Sequence, residues 1–210
     1  MKDLNLDNLS RPEAFQTGIS RLVRKTVLQQ IHEGEEPILD ACCGNGIFLL
    51  EYCSSVNYYT DIYGVDLDID ALETARQLFI DNNLESPVFA KGDASNLSFS
   101  DHQFRSIFCL NTLINIHPFN KIEAIISELF RVLKPGGKIY LDFRNQLNPA
   151  LKYKYRKNIK TGALTTYGHK KSDFSTILEK LKVTHYSFKP IGIPFPFLAK
   201  GYLLIIEKPS

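Results

Sequence analysis

The stretch Ile38–Gly46, ILDACCGNG, decides how the rest of the chain is read. Ile38 and Leu39 are the apolar part of a strand that ends in an acid, Asp40, and Gly44-Asn45-Gly46 makes a turn. The largely apolar run from Ile47 to Tyr52 is helix-compatible. Strand, glycine turn and helix in succession present backbone N–H groups to a ligand at the carboxyl end of a strand. Glycine at 44 and 46 leaves room for close approach of the ligand and permits positive φ.

Glycine spacing separates two cofactor classes. The dinucleotide fingerprint G-x-G-x-x-G would need its third glycine at position 49, which is Leu49, so a nicotinamide-dependent reductase is disfavoured. Read with the acid first, as acid-x-G-x-G-x-G, the match is Asp40, Cys42, Gly44 and Gly46, with cysteine in one glycine slot. This resembles motif I of the class I S-adenosylmethionine (SAM) dependent methyltransferases, and the Cys-Cys-Gly variant is similar to quinone-type members of that family.

Two further acids follow in order. Asp61–Val65 reads as a second strand ending at Asp66, which lies 20 residues after Gly46. At that distance an acid meets the ribose hydroxyls of a bound nucleoside, and a carboxylate accepts both of their hydrogen bonds. Asp66-Leu67-Asp68-Ile69-Asp70 is not a calcium loop, because Ala71 and Gln77 stand where Gly and Glu are required. Asp68 and Asp70 are expected as caps of the next helix, Asp70 with Glu73 at capping-box spacing. After a short third strand, Val88–Ala90, Gly92-Asp93-Ala94 resembles the family's adenine-binding step. Alone, Asp93 also fits a turn cap.

Ser106–Leu110 is a fourth strand leading into Asn111-Thr112-Leu113-Ile114-Asn115-Ile116-His117. Asn111 lacks the following Pro-Pro-aromatic pattern of amide- and adenine-N-methylating enzymes. Here the chain departs from the family: Arg105 stands where an acid is common, and Asn115 where His is frequent. A helix from about Lys121 to Leu133 carries an apolar stripe of Ile122, Ile125, Ile126, Leu129, Phe130 and Leu133. Lys134-Pro135-Gly136-Gly137 ends it in a turn before a fifth strand, Lys138–Phe143. LFRVLKPGGKIYLDF resembles the family's helix-turn-strand unit.

The resemblance implies an α/β fold: a Rossmann-like, doubly wound, seven-stranded mixed sheet with the last strand antiparallel, in a three-layer sandwich. It implies SAM as cofactor and S-adenosylhomocysteine (SAH) as product. The cofactor residues are then Asp40, Ala41, Gly44, Asn45, Gly46, Asp66, Leu67, Asp93, Ala94 and Asn111, and no metal is expected.

The flanks are read more coarsely. Residues 12–32 follow helical spacing after Pro12, with Phe15, Ile19, Leu22, Val23, Val27 and Ile31 on one face. In the resemblance this helix forms a cap, residues 1–34, over the cofactor mouth. Residues 145–168 read as irregular and basic, with Lys152, Lys154, Arg156, Lys157 and Lys160 interleaved with Tyr153 and Tyr155. The segment 145–170 is expected as a substrate lid, with Tyr153, Tyr155, Arg156 and His169 as substrate contacts. Cationic groups beside aromatic faces suit an anionic or planar substrate, or nucleic-acid phosphates. A helix over Asp173–Leu181, capped by Ser172 or Asp173, precedes two closing strands, Lys182–Lys189 and Tyr202–Glu207. The apolar loop Ile191–Leu198 between those strands either walls a substrate pocket or packs on a second subunit.

Composition bounds the rest. A chain of 210 residues with 44% hydrophobic and 23% charged content suits one domain, 1–210. The polar start MKDLNLDNLS lacks the apolar core of a signal peptide, and no apolar run approaches a membrane span. Cys42, Cys43, Cys53 and Cys109 form neither a disulfide framework nor a zinc pattern, so a reducing cytoplasm is expected. Residues 1–130 carry 9 Lys and Arg against 19 Asp and Glu, residues 131–210 carry 16 against 4. Such a split marks either a solvated face or a surface for an anionic partner.

The expectation is therefore a SAM-dependent methyltransferase acting on an O, N or C atom of a small molecule with amphiphilic or anionic character. His117 is the candidate general base, since imidazole titrates near neutrality. The chain is expected as a monomer or homodimer that does not act on nucleic acid. The alternatives are an RNA methyltransferase and a non-catalytic SAM-binding module.

Overall fold

The computed structural model describes residues 4–7, 9, 18–31, 34–57, 59–160 and 166–210, and for 157–160 the backbone alone. Its elements in chain order are α1 (Gly18–Leu28), β1 (Ile38–Ala41), α2 (Ile47–Ser55), β2 (Ile62–Asp66), α3 (Ile69–Asp81) and β3 (Val88–Lys91). Then come β4 (Phe104–Cys109), α4 (Phe119–Val132), β5 (Leu133–Arg144), α5 (Pro149–Lys160), α6 (Lys171–Lys180), β6 (His185–Ile191) and β7 (Gly201–Glu207). The part of the expected N-terminal helix before Gly18, the expected end at residue 32, and lid residues 161–165 lie outside the described residues.

Seven strands form one sheet in the order β3-β2-β1-β4-β5-β7-β6. All neighbours are parallel except β7, which runs antiparallel to both β5 and β6. Alternation along the strands splits the core in two. Leu39, Ile107, Ile139 and Leu141 face α4 and α6, while Ile38, Phe108, Tyr140 and Leu203 face α1, α2 and α3. The α4 stripe Ile122, Ile125, Ile126, Leu129 and Val132 is buried; at about 2 kcal/mol for each side chain it contributes up to about 10 kcal/mol. The strand order reverses between β1 and β4, and in open α/β sheets that is where a crevice opens at the carboxyl ends of the strands.

Four local readings change. The strand β5 begins at Leu133, so Lys134–Gly137 is a bulge within it: the pairing Phe104↔Leu133 jumps to Ser106↔Lys138. Gly136 takes φ +72° there, donates to the Lys208 carbonyl at 2.9 Å, and Lys208 N–H donates to Gly137 at 3.0 Å. Residues 149–160, read as irregular, are helix α5, because Asn148 Oδ1 accepts from Leu151 N–H at 3.1 Å and Pro149 opens the first turn. In α3 the cap is Asp68, whose Oδ1 accepts from the Asp70 and Ala71 amides; Asp70 is already inside the first turn. The helix α6 starts at Lys171, and Asp173 reaches back to accept from Lys170 N–H at 2.9 Å.

Candidate functional site

At the point of reversal, a cavity of about 390 Å³ opens beside the carboxyl ends of β1, β2 and β4. Its floor is the β1–α2 turn. Cys42, Gly44 and Gly46 all hold positive φ, at 63°, 52° and 68°, so the three slots of the sequence pattern share one backbone requirement. Glycine meets it without steric cost, whereas cysteine at 42 carries strain. The two glycines then differ. A Cβ at Gly44 would meet nothing within 4 Å, whereas at Gly46 it would lie 2.9 Å from Ala75 Cβ and 3.1 Å from the Phe89 ring. Gly46 is needed for packing of α2 against α3 and β3. Gly44, in the cavity wall, is needed for its backbone conformation.

The carboxylates come from the strand ends. Asp66 accepts from Gly44 N–H at 2.7 Å through Oδ2 and from Asp68 N–H at 3.0 Å through Oδ1. These bonds clamp the acid to the turn and leave further acceptor capacity on both oxygens. Asp40 is 2% exposed and its carboxylate accepts no hydrogen bond among the described residues. Burial first, and the neighbouring Asp66 second, push its pKa well above the ordinary carboxylate range. An anionic carboxylate in that setting favours a cation. The first turn of α2, with Ile47 and Phe48 in the cavity wall, starts at Gly46 with no side-chain cap. Its amides are suited to an anionic group.

A network invisible in the sequence holds the opposite wall. Asn111, at φ 59°, donates its N–H to Asp142 Oδ1 at 2.5 Å. Its side-chain oxygen accepts from Arg144 Nη2 at 2.8 Å, and its Nδ2 donates to the Ser20 carbonyl at 3.4 Å. Arg144 also pairs with Asp142. Both members of that pair are buried, and burial raises the Asp142 pKa although Arg144 opposes it. On the cap side, Arg24 of α1 makes a two-pronged bond to Glu51 of α2, at 2.8 and 3.0 Å, and lines the cavity with Ser20. No short sequence motif announces Asp142–Arg144 or Arg24–Glu51. Each is a long-range or strand-end pairing that only the fold creates.

Of the residues singled out in the sequence, Asp40, Gly44, Asn45, Asp66, Leu67 and Asn111 stand together in the cavity wall. Ala41 is fully buried behind it. Asp93 and Ala94 lie outside the wall just beyond β3; Asp93 Oδ1 accepts from the Ser95 N–H and hydroxyl, each at 2.8 Å, and these bonds lower its pKa. His117 is exposed and stacks on Tyr167 at 4.6 Å, one residue from the wall residue Ile116. Tyr153 is 75% exposed and Arg156 is exposed beside it on α5. Tyr155 is half-buried, its pKa raised by burial, with Arg144 opposing and Asp142 adding. His169 is 9% exposed, lies 3.4 Å from the Leu113 carbonyl and packs on Phe119 and Phe174. Those contacts give His169 a place in the core. Burial lowers its pKa. Among the described residues no cluster of His, Cys, Asp or Glu is placed to hold a metal, and no helix is long and apolar enough to cross a membrane.

The family model described as "Methyltransferase domain" matches residues 38–137, the part of the chain that builds the turn, both carboxylates and the bulge. A 2-phytyl-1,4-naphtoquinone methyltransferase of Nostoc punctiforme is 37% identical over 117 residues, 54% of this chain and 49% of that protein. A demethylmenaquinone methyltransferase of Staphylococcus saprophyticus is 30% identical over 136 residues, 63% of this chain and 56% of that one. The chain thus spans about half the length of the curated relatives it matches. Among solved structures, a SAM-dependent methyltransferase of Methanosarcina mazei superposes with TM-score 0.68 at 22% identity, over 87% of this chain and 97% of that one. A magnesium protoporphyrin IX methyltransferase of Synechocystis, solved with SAH, gives TM-score 0.69 at 17% identity, over 99% and 90%. Residues 38–137 thus match a methyltransferase-domain model, and the chain shares the fold of the solved methyltransferases it superposes on.

Proposed function

We propose that this protein transfers a methyl group from SAM to an O, N or C atom of a small amphiphilic molecule. The observation that supports this best is the cavity at the strand reversal, where a glycine turn sits beside two carboxylates, Asp40 and Asp66. The residues fit the cofactor. Asp66, fixed by two backbone amides, has lone pairs left for vicinal ribose hydroxyls. Leu67, 62% exposed on the same wall, offers an apolar face for adenine. Asp93 and Ala94 at the outer rim take the base edge, with Ala41 as backing. Asp40 suits the cationic methionine end, and Gly44, Asn45 and Gly46 with the α2 amides suit its carboxylate. Asn111 closes the far side.

When bound, SAM supplies an electrophilic methyl carbon with a neutral thioether as leaving group. The chain's own task is mainly alignment, which in a well-oriented site supplies about 7–11 kcal/mol. For an acceptor that must lose a proton, His117 is the candidate base, and Tyr155, beside the Asp142–Arg144 pair, is the alternative. Tyr153 and Arg156 complete the proposed substrate segment, 145–170, in which His169 packs into the core, and residues 1–34 form the cap. The relatives' names, both quinone methyltransferases, favour a ring compound with a lipophilic tail. We place the protein in the cytoplasm as a single domain, monomeric or homodimeric.

The test is isothermal titration with SAM, SAH and NADH, followed by labelled SAM with cell extract and mass spectrometry of the products. Heat with SAM and SAH but not NADH, and label in a small molecule, is expected. No heat with either SAM or SAH overturns the proposal, and binding without turnover would leave a non-catalytic SAM-binding module.

A further inference from the structure

The β6–β7 loop carries Ile193, Phe195, Phe197 and Leu198, exposed by 46, 65, 69 and 48%. Leu147, 52% exposed, stands at the neighbouring β5–α5 junction. Five large apolar side chains exposed on one edge form a patch of the kind that marks an interaction site. The loop holding them is anchored from below. Asn145 Nδ2 donates to the Pro196 and Ala199 carbonyls at 2.8 and 3.0 Å. Asn148 Nδ2 donates to those of Leu198 and Ala199 at 3.0 and 3.2 Å, and Tyr202 Oη to Pro196 at 2.9 Å. Both asparagines are buried. Buried polar groups therefore fix the backbone of a loop whose apolar side chains face outward.

The same edge is cationic. On α5, Lys152, Lys154 and Arg156 are exposed, and the sequence has no acid in 145–172 or 180–206. Lys200, at the foot of the loop, is exposed. The register Arg144↔Gly201 puts the loop at the carboxyl end of β5. This is the end of the sheet at which Asn111 and Arg144 meet beside the cavity.

We propose that this edge docks the protein on a bilayer whose surface carries anionic head groups. An apolar tip with a basic surround is the arrangement that inserts shallowly into such an interface, each nearby Lys or Arg adding attraction. Pairing of the patch with a second copy would set its cations against themselves. A nucleic acid would use the cations but has no need of Ile193, Leu198 and Leu147. The inference stands apart from the methyl-transfer reading.

Sedimentation of the full chain with vesicles of phosphatidylcholine, alone or mixed with phosphatidylglycerol, tests it. Binding is expected to the mixed vesicles, weakened by salt, and about tenfold lower on phosphatidylcholine alone. Phe195→Ser with Phe197→Ser should lower binding about tenfold or more. Lys152→Glu with Lys154→Glu should remove most of the phosphatidylglycerol dependence. Wild-type unfolding midpoints in both variants serve as the fold control. Wild-type protein left in the supernatant, or a Phe195/Phe197 variant that sediments like wild type, overturns the proposal. So does a dimer in velocity sedimentation that needs Phe195 and Phe197 while vesicles are ignored. Absence of heat with SAH would count against the cofactor reading alone.

Discussion

Replacing Arg144 by methionine removes one member of a pair whose side chains are 4% and 1% exposed and leaves Asp142 buried without its counter-charge. Breaking such a pair from one side costs about 3–5 kcal/mol. Asn111 loses its Arg144 bond at the same time and keeps only the Asp142 and Ser20 contacts that hold it at positive φ. The cost should depend on pH. Burial already raises the Asp142 pKa, and Arg144 is the largest opposing influence, so the variant's pKa lies higher still. A carboxyl raised on folding favours the folded state fully only below its unfolded value of about 4 and loses that contribution as pH rises through the folded value. The deficit of the variant should therefore be largest at about pH 8 and shrink as pH falls to about 5.5. Adding Asp142→Asn should recover about 1–3 kcal/mol relative to the sum of the single changes. Urea unfolding of the four proteins across that pH range measures all of this. A deficit under about 1 kcal/mol, flat in pH and additive with Asp142→Asn, would refute the reasoning.

Three other outcomes follow from the site. Gly46→Ala should cost about 2–4 kcal/mol, from the positive φ and the 2.9 Å clash with Ala75, and Gly44→Ala only about 1 kcal/mol; equal costs by urea unfolding would show that the packing argument fails. Because Asp40 is held protonated to higher pH by burial, and a bound cation favours its ionised form, SAM affinity should rise with pH until Asp40 is ionised in the free protein. Calorimetry should find that rise flattened in Asp40→Asn, and a variant with an unchanged slope excludes Asp40 as its source. His117→Ala should lower methyl transfer by about 10²–10⁴-fold with SAM affinity unchanged, and an unaltered rate removes His117 as base.

How much was legible depends on how local each signal is. The β1–α2 turn, Asp66 and the α4 stripe are written in residues that are neighbours along the chain, and their backbone requirements survive translation into structure. Helix α5 was also legible in principle, since Asn148-Pro149 is a cap followed by a first-turn proline, but the lysine-rich composition after it obscured the signal. The bulge at Lys134–Gly137 was not legible, because its partners are Phe104 and Lys208, distant in sequence.

By itself the sequence determined the strand-turn-helix units, the positive-φ glycines at 44 and 46, and the order of the acids. These follow from steric limits and hydrophobic period, which act over a few residues. Only the tertiary structure decided which carboxylate would be buried without a donor, that Arg144 would carry Asn111, and that Phe195 and Phe197 would face outward beside a cationic helix. Desolvation and long-range pairing depend on what the fold brings within a few ångströms, and no stretch of chain carries that information alone.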